Sequence, residues 1–140
     1  MKTLKIPSIF LLLAALFFSC QKEPNLERTS TALGTLGVSA SACTPVTTAG
    51  SFTQGVPLTT TNTAATVQVT VTTIGAYTIS TNTVNGVSFS KTGTFTATGV
   101  QSVILNGTGT PTNSGVQNFT VAFGNSTCNF SITFSPGGTI

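Results

Sequence analysis

The 140-residue chain contains no histidine and no tryptophan, and it has one tyrosine, Tyr77. Its two acidic side chains are both glutamates, Glu23 and Glu27, so residues 28–140 hold no carboxylate side chain. These absences remove most enzyme chemistry. General acid–base catalysis needs a side chain that titrates near the working pH. A Ser/His/Asp array needs an imidazole, and a glycosidase needs two facing carboxyl groups. Calcium and magnesium sites are built on carboxylate oxygens. Two cysteines without a histidine do not complete a zinc shell. The expectation is a chain that is not an enzyme and carries no metal and no cofactor.

Charge is equally scarce. Charged residues make up 5% of the chain, against about 25% in an ordinary domain. The net charge of +3 and the pI near 9.0 would suit a nucleic-acid partner. However, Lys2 and Lys5 belong to a segment expected to be removed. What then remains is Lys22, Arg28 and Lys91 against Glu23 and Glu27. There is no basic stripe to follow a phosphate backbone, and no nucleic-acid partner is expected. Threonine takes the place of charge, at 30 of 140 residues. It is β-branched, stiff at χ1, and suited to a solvated sheet face.

Met1–Lys5 is a short basic start, and residues 6–18 form an apolar run interrupted only by Pro7 and Ser8. The run falls short of the roughly 20 residues that a membrane-spanning helix needs, and suits a secretory signal. It ends in Leu16-Phe17-Phe18-Ser19-Cys20. This resembles the lipobox of bacterial lipoproteins. The resemblance implies that residues 1–19 are a cleaved signal peptide and that Cys20 carries diacylglycerol and an acylated amine, palmitate-type chains included. The alternative is an ordinary cleaved signal with a chance cysteine. Gln21-Lys22-Glu23 follows, and is similar to the short charged export signal of surface lipoproteins of the Bacteroidota. It implies an outer-membrane protein, lipid-anchored and facing the cell surface. The alternative is the same anchor facing the periplasm.

Residues 20–42 read as the lipidated cysteine and a flexible tether, with Pro24, Asn25, Gly34, Gly37 and the Ser39–Ala42 stretch showing little periodicity. Part of 33–42 is open to a second reading, as a first strand. From Cys43 the pattern has period two. Val67, Val69 and Val71 alternate with Gln68 and Thr70, and Phe119, Val121 and Phe123 with Thr120 and Ala122. Cys128, Phe130, Ile132 and Phe134 alternate with Asn129, Ser131 and Thr133. Turn signals stand at Ile74-Gly75, Asn85-Gly86, Thr92-Gly93, Gly107–Pro111 and Gly124-Asn125. The expected fold is all-β, a β-sandwich of about seven to eight antiparallel strands over residues 43–140. Gly75-Ala76-Tyr77-Thr78-Ile79, Gly86-Val87-Ser88-Phe89-Ser90, Gly93-Thr94-Phe95, Gly99-Val100-Gln101, Gly107-Thr108-Gly109-Thr110-Pro111 and Cys128-Asn129-Phe130 carry a likeness. In these residues the chain resembles the immunoglobulin-like repeats of Bacteroidota surface proteins, from about Cys43 to Phe134.

With Cys20 assigned to lipid, Cys43 and Cys128 remain as a pair in an oxidising compartment. Cys128 shares its strand face with Phe130 and Ile132, which turns its sulfur inward. A disulfide between the two is expected, with two buried free thiols as the alternative. Ser88-Phe89-Ser90-Lys91 matches S-x-x-K and Lys91-Thr92-Gly93 matches K-T-G, two motifs of penicillin-recognising enzymes. They overlap in a single strand and turn and lack the third element of that site, so Lys91 reads as a solvated edge charge. The N-x-S/T matches at Asn106, Asn118, Asn125 and Asn129 are chance in so Thr-rich a chain.

The leading functional reading is a non-catalytic surface lipoprotein, a structural, adhesive or protein-binding immunoglobulin-like module. A carbohydrate-binding accessory of polysaccharide capture is the alternative. It is disfavoured because sugars stack on Trp or Tyr, and the alternation of Tyr77 with Ile79 places the one tyrosine in the core. A surface-fibre subunit cut at Arg28 is the third reading.

Overall fold

Alternating β-branched and small polar residues dictate extended chain with one buried face. The computed structural model describes residues 30–138, and among them it contains strands and no helix. The ten strands are β1 (Leu33–Leu36), β2 (Val38–Ser39), β3 (Ala42–Cys43), β4 (Val46–Ala49) and β5 (Ala64–Thr73), then β6 (Gly75–Thr81), β7 (Val87–Phe95), β8 (Gly99–Gly109), β9 (Gly115–Phe123) and β10 (Ser126–Phe134). The signal peptide, Cys20, the Gln21-Lys22-Glu23 run and Arg28 lie outside the described residues.

Hydrogen bonding links the strands in the order β1-β5-β8-β7-β6-β9-β10-β3-β2, with β4 added to β5. The sheet bends where β7 changes partners. Its first half, Val87–Ser90, pairs with β8, and Ser90–Phe95 pairs with β6. The inner faces of β5–β8–β7 and of β6–β9–β10 thereby meet around one core. The first stretch of chain ties the two ends of the sheet together. β1 runs antiparallel to β5, Gly37 N–H donates to the Gln68 carbonyl, and β3 then lies parallel to β10 at Ala42–Asn129.

The core follows from the alternation. Val67, Val69 and Val71 of β5, Leu105 of β8, Ile79 of β6 and Phe119 and Val121 of β9 are buried. Phe89 stands at the centre, edge-on to Phe119 at 5.3 Å and to Phe130 at 5.8 Å, while Phe119 and Phe130 stack at 5.5 Å. Such aromatic contacts add about 0.5–1.5 kcal/mol each beyond area burial. Gly107 makes the room. A Cβ there would lie 2.8 Å from Phe89 and 2.9 Å from Leu58 and from Thr63.

Three expectations change. Folded structure is already present before Cys43, in line with the second reading of 33–42: Thr31 bridges Ala76, and β1 and β2 occupy residues that also read as tether. These strands are too short to show periodicity, and they form because β5 and β10 offer edges. Thr92-Gly93 is no turn but the middle of β7. Its glycine serves packing: the Tyr77 ring crosses Gly93, with its hydroxyl 2.8 Å from where a Cβ would be. Finally, the strand count is ten, and one pair, β3 with β10, is parallel. The Asn85-Gly86 and Gly124-Asn125 turns stand where expected. Asn85 also fastens the loop between β8 and β9, its side-chain carbonyl accepting from Asn113 N–H at 2.8 Å and from the Thr112 hydroxyl at 2.9 Å.

Candidate functional site

The cysteine pair is joined. Cys43 on β3 and Cys128 on β10 form a disulfide with a Cα–Cα distance of 4.9 Å, and both residues are buried. The bond fastens the two-residue β3 to the edge of β10. That attachment otherwise rests on few backbone bonds, such as Asn129 N–H to the Ser41 carbonyl at 2.9 Å.

Beyond β3 the edge of β10 opens. Pro45 has no N–H to donate, and the chain leaves β10 to become β4 on the opposite layer. Pairing resumes only at Ser135, whose N–H donates to the Phe52 carbonyl and whose carbonyl accepts from Gln54 N–H, both at 2.9 Å. The register of β10 with β9 is unbroken from Ser126 to Phe134. Backbone groups therefore alternate strictly along the strand. Asn129, Ser131, Thr133 and Ser135 all turn their N–H and C=O away from β9. Asn129 and Ser135 are paired. Among the described residues, Ser131 and Thr133 have no backbone partner on that side.

Of these two, Ser131 borders a slot of about 460 Å³ between β10 and β4, lined also by Cys43, Val46, Thr48, Asn118, Asn129 and Phe130, among others. The floor is apolar (Val46, Phe130 and the disulfide), and the rim is hydroxyl and amide. Thr48 shows that the slot is open. It sits opposite the buried Ala65 and so belongs to the inward row, yet it is exposed.

Lys91 is the sole charged side chain among the described residues. Ser88 and Lys91 are three residues apart on β7, so they project from opposite faces of the strand and cannot pass a proton between them. No group of three His, Cys, Asp or Glu side chains that could hold a metal occurs among the described residues. Tyr77 is half-buried and stacked on Phe95 with centroids 4.0 Å apart. The exposed large apolar side chains are all aliphatic, Val100 and Val116 being the most open. No aromatic platform for a sugar ring stands among them.

Sequence reasoning paired Cys43 with Cys128 by assigning Cys20 to lipid, and strand parity turned the Cys128 sulfur inward. It missed the slot, which results from where β3 stops and β4 begins on the other layer. Pro45 was the one available signal. No protein-family model matches the chain, and no curated protein matches it.

Proposed function

We propose that this chain is a lipid-anchored, non-catalytic surface module of the outer membrane, with an immunoglobulin-like sandwich fold and a role in protein contact or surface structure. One observation carries the reading: residues 30–138 fold into an all-β body whose surface is mainly threonine, serine, asparagine and glycine with scattered aliphatic side chains, and with Lys91 as its one charge. Such a surface offers hydrogen bonds and shape but neither acid–base groups nor charge clusters. The order of strands supports the immunoglobulin-like assignment, since β1 joins one layer at β5 and β3 joins the other at β10. Protein contact is preferred to glycan binding because Tyr77 is committed to Phe95 and Gly93, and every phenylalanine among the described residues is buried or half-buried.

The anchor rests on Ser19-Cys20 and the apolar run before it, and the outward orientation on Gln21-Lys22-Glu23. Metabolic palmitate labelling with membrane fractionation tests the first. Cys20→Ala should lose both label and membrane retention, and unchanged retention refutes the anchor. Replacing Gln21, Lys22 and Glu23 by alanine tests the second. An impermeant amine reagent applied to intact cells should reach Lys91 in the wild type and not in the variant.

A further inference from the structure

The geometry points to the slot between β4 and β10 as a docking site for one extended, uncharged peptide segment of a partner protein, added as a strand to the free edge of β10. This deepens the protein-contact reading and rests on it. Three observations specify the occupant.

The first is hydrogen-bond complementarity. Ser131 and Thr133 present two N–H and two C=O groups in a row, at strand spacing, without backbone partners among the described residues. Paired groups stand on both sides, at Asn129 and at Ser135. A sheet edge of this kind is satisfied by another strand, which is the basis of recognition by strand addition. Residues 41–43 and 52–54 hold the two ends, so the open stretch is Ser131–Thr133, about 7 Å, where two or three residues of a guest pair while the rest of the segment leaves the edge on either side.

The second is width. β4 forms the far wall through Val46 and Thr48, so the edge of β10 at Asn129–Ser131 faces a slot and not open solvent. The edge of a complete sheet from a second copy would meet β4, whereas a single extended segment enters alone. The third is chemistry. Phe130, Val46 and the disulfide give an apolar floor for every second side chain of the guest. Asn118, Asn129, Ser131 and Thr48 give a neutral polar rim, and no charge stands there to pair with a charged peptide.

The test uses amide hydrogen exchange of the mature chain. The probe is a blocked heptapeptide with the sequence of Thr66–Thr72, which is uncharged and alternates polar and apolar residues. In the free protein the Ser131 and Thr133 amides should exchange fast. With millimolar peptide they should slow by at least about tenfold, while Asn129 and Ser135, already bonded, stay as they were. The same peptide N-methylated at alternate residues should have no effect. Fusing the heptapeptide to the C-terminus through a Gly-Ser linker raises its effective concentration and should raise the melting point.

Ser131→Pro checks the edge independently. Its N–H is unbonded, so the variant should fold normally but lose the peptide effect. Ile132→Pro, whose N–H points at β9, should unfold. Slow exchange at Ser131 and Thr133 in the free protein overturns the proposal, as does an absence of slowing with both the free and the fused peptide. A linear neutral glucose oligosaccharide that shifts Asn118, Asn129 and Ser131 resonances while the peptide leaves them in place also overturns it, in favour of a glycan. None of these outcomes depends on palmitate labelling, so failure of the slot and failure of the anchor are separable.

Discussion

Replacing Cys43 and Cys128 together by alanine removes a cross-link between residues 85 apart in sequence. In the chain-entropy description, closing a loop of that length takes about 15 cal/mol/K from the unfolded ensemble, or roughly 4.5 kcal/mol at 25 °C. Two buried sulfurs are lost as well, from positions that pack into the core. A domain of this size has about 5–15 kcal/mol of total stability, so the loss is a large share of it. The melting point should fall by roughly 15–20 °C, at about 4 °C per kcal/mol. Each single mutant should be about as unstable as the double, because either one breaks the link.

Exchange of the Asn129 amide adds a local reading. Its partner is the Ser41 carbonyl in the β2–β3 hairpin, a unit of two two-residue strands that cannot stand alone. Without the disulfide this amide should exchange faster than those of Phe119 and Val121 in β9. Differential scanning calorimetry with and without reductant, and mass spectrometry of the non-reduced protein, complete the assay. Two free thiols, or a melting point that reductant does not move, would refute the reasoning.

Ala40 and Ser41 form the two-residue turn between β2 and β3 with φ of 51° and 73°, so exchanging them for Asn and Gly should stabilise the fold by about 1 kcal/mol, read from a denaturant midpoint. Gly107→Ala should destabilise by about 1–3 kcal/mol, because the added methyl meets Phe89, Leu58 and Thr63 at under 3 Å, and a chemical-denaturation curve measures it. Stability should be nearly flat between pH 4.5 and 8.5, because residues 30–138 contain no Asp, Glu or His whose proton binding could differ between folded and unfolded states; melts across that range check it.

The long strands were legible because each buries one face. Val67, Val69 and Val71 could sit nowhere but inward, and Cys128 shared its parity with Phe130, which turned its sulfur inward; its pairing with Cys43 came from assigning Cys20 to lipid. Turns built on Asn85-Gly86 and Gly124-Asn125 were legible because few residues accept those backbone angles. Gly93 was misleading for a related reason. Glycine marks both tight turns and close approaches, and only the cross-strand ring of Tyr77 decides between them. β1–β3 were legible only as the second reading of 33–42, because segments of two to four residues have no period to read. Their structure is imposed by β5 and β10. The slot belongs to the same class: it is a relation between strand edges that only the assembled topology creates.

The lone cation and the disulfide together decide how the body meets digestive enzymes. A protease that cuts after basic residues finds one site among the described residues, Lys91, in a strand paired to β6 through Ile79. One that cuts after acidic residues finds none there. Cleavage in a paired strand requires local opening first. Should a nick occur after Lys91, Cys43 lies on one side of it and Cys128 on the other, so the bond keeps both fragments on one molecule. A nicked molecule would run as intact protein without reductant and as two pieces with it.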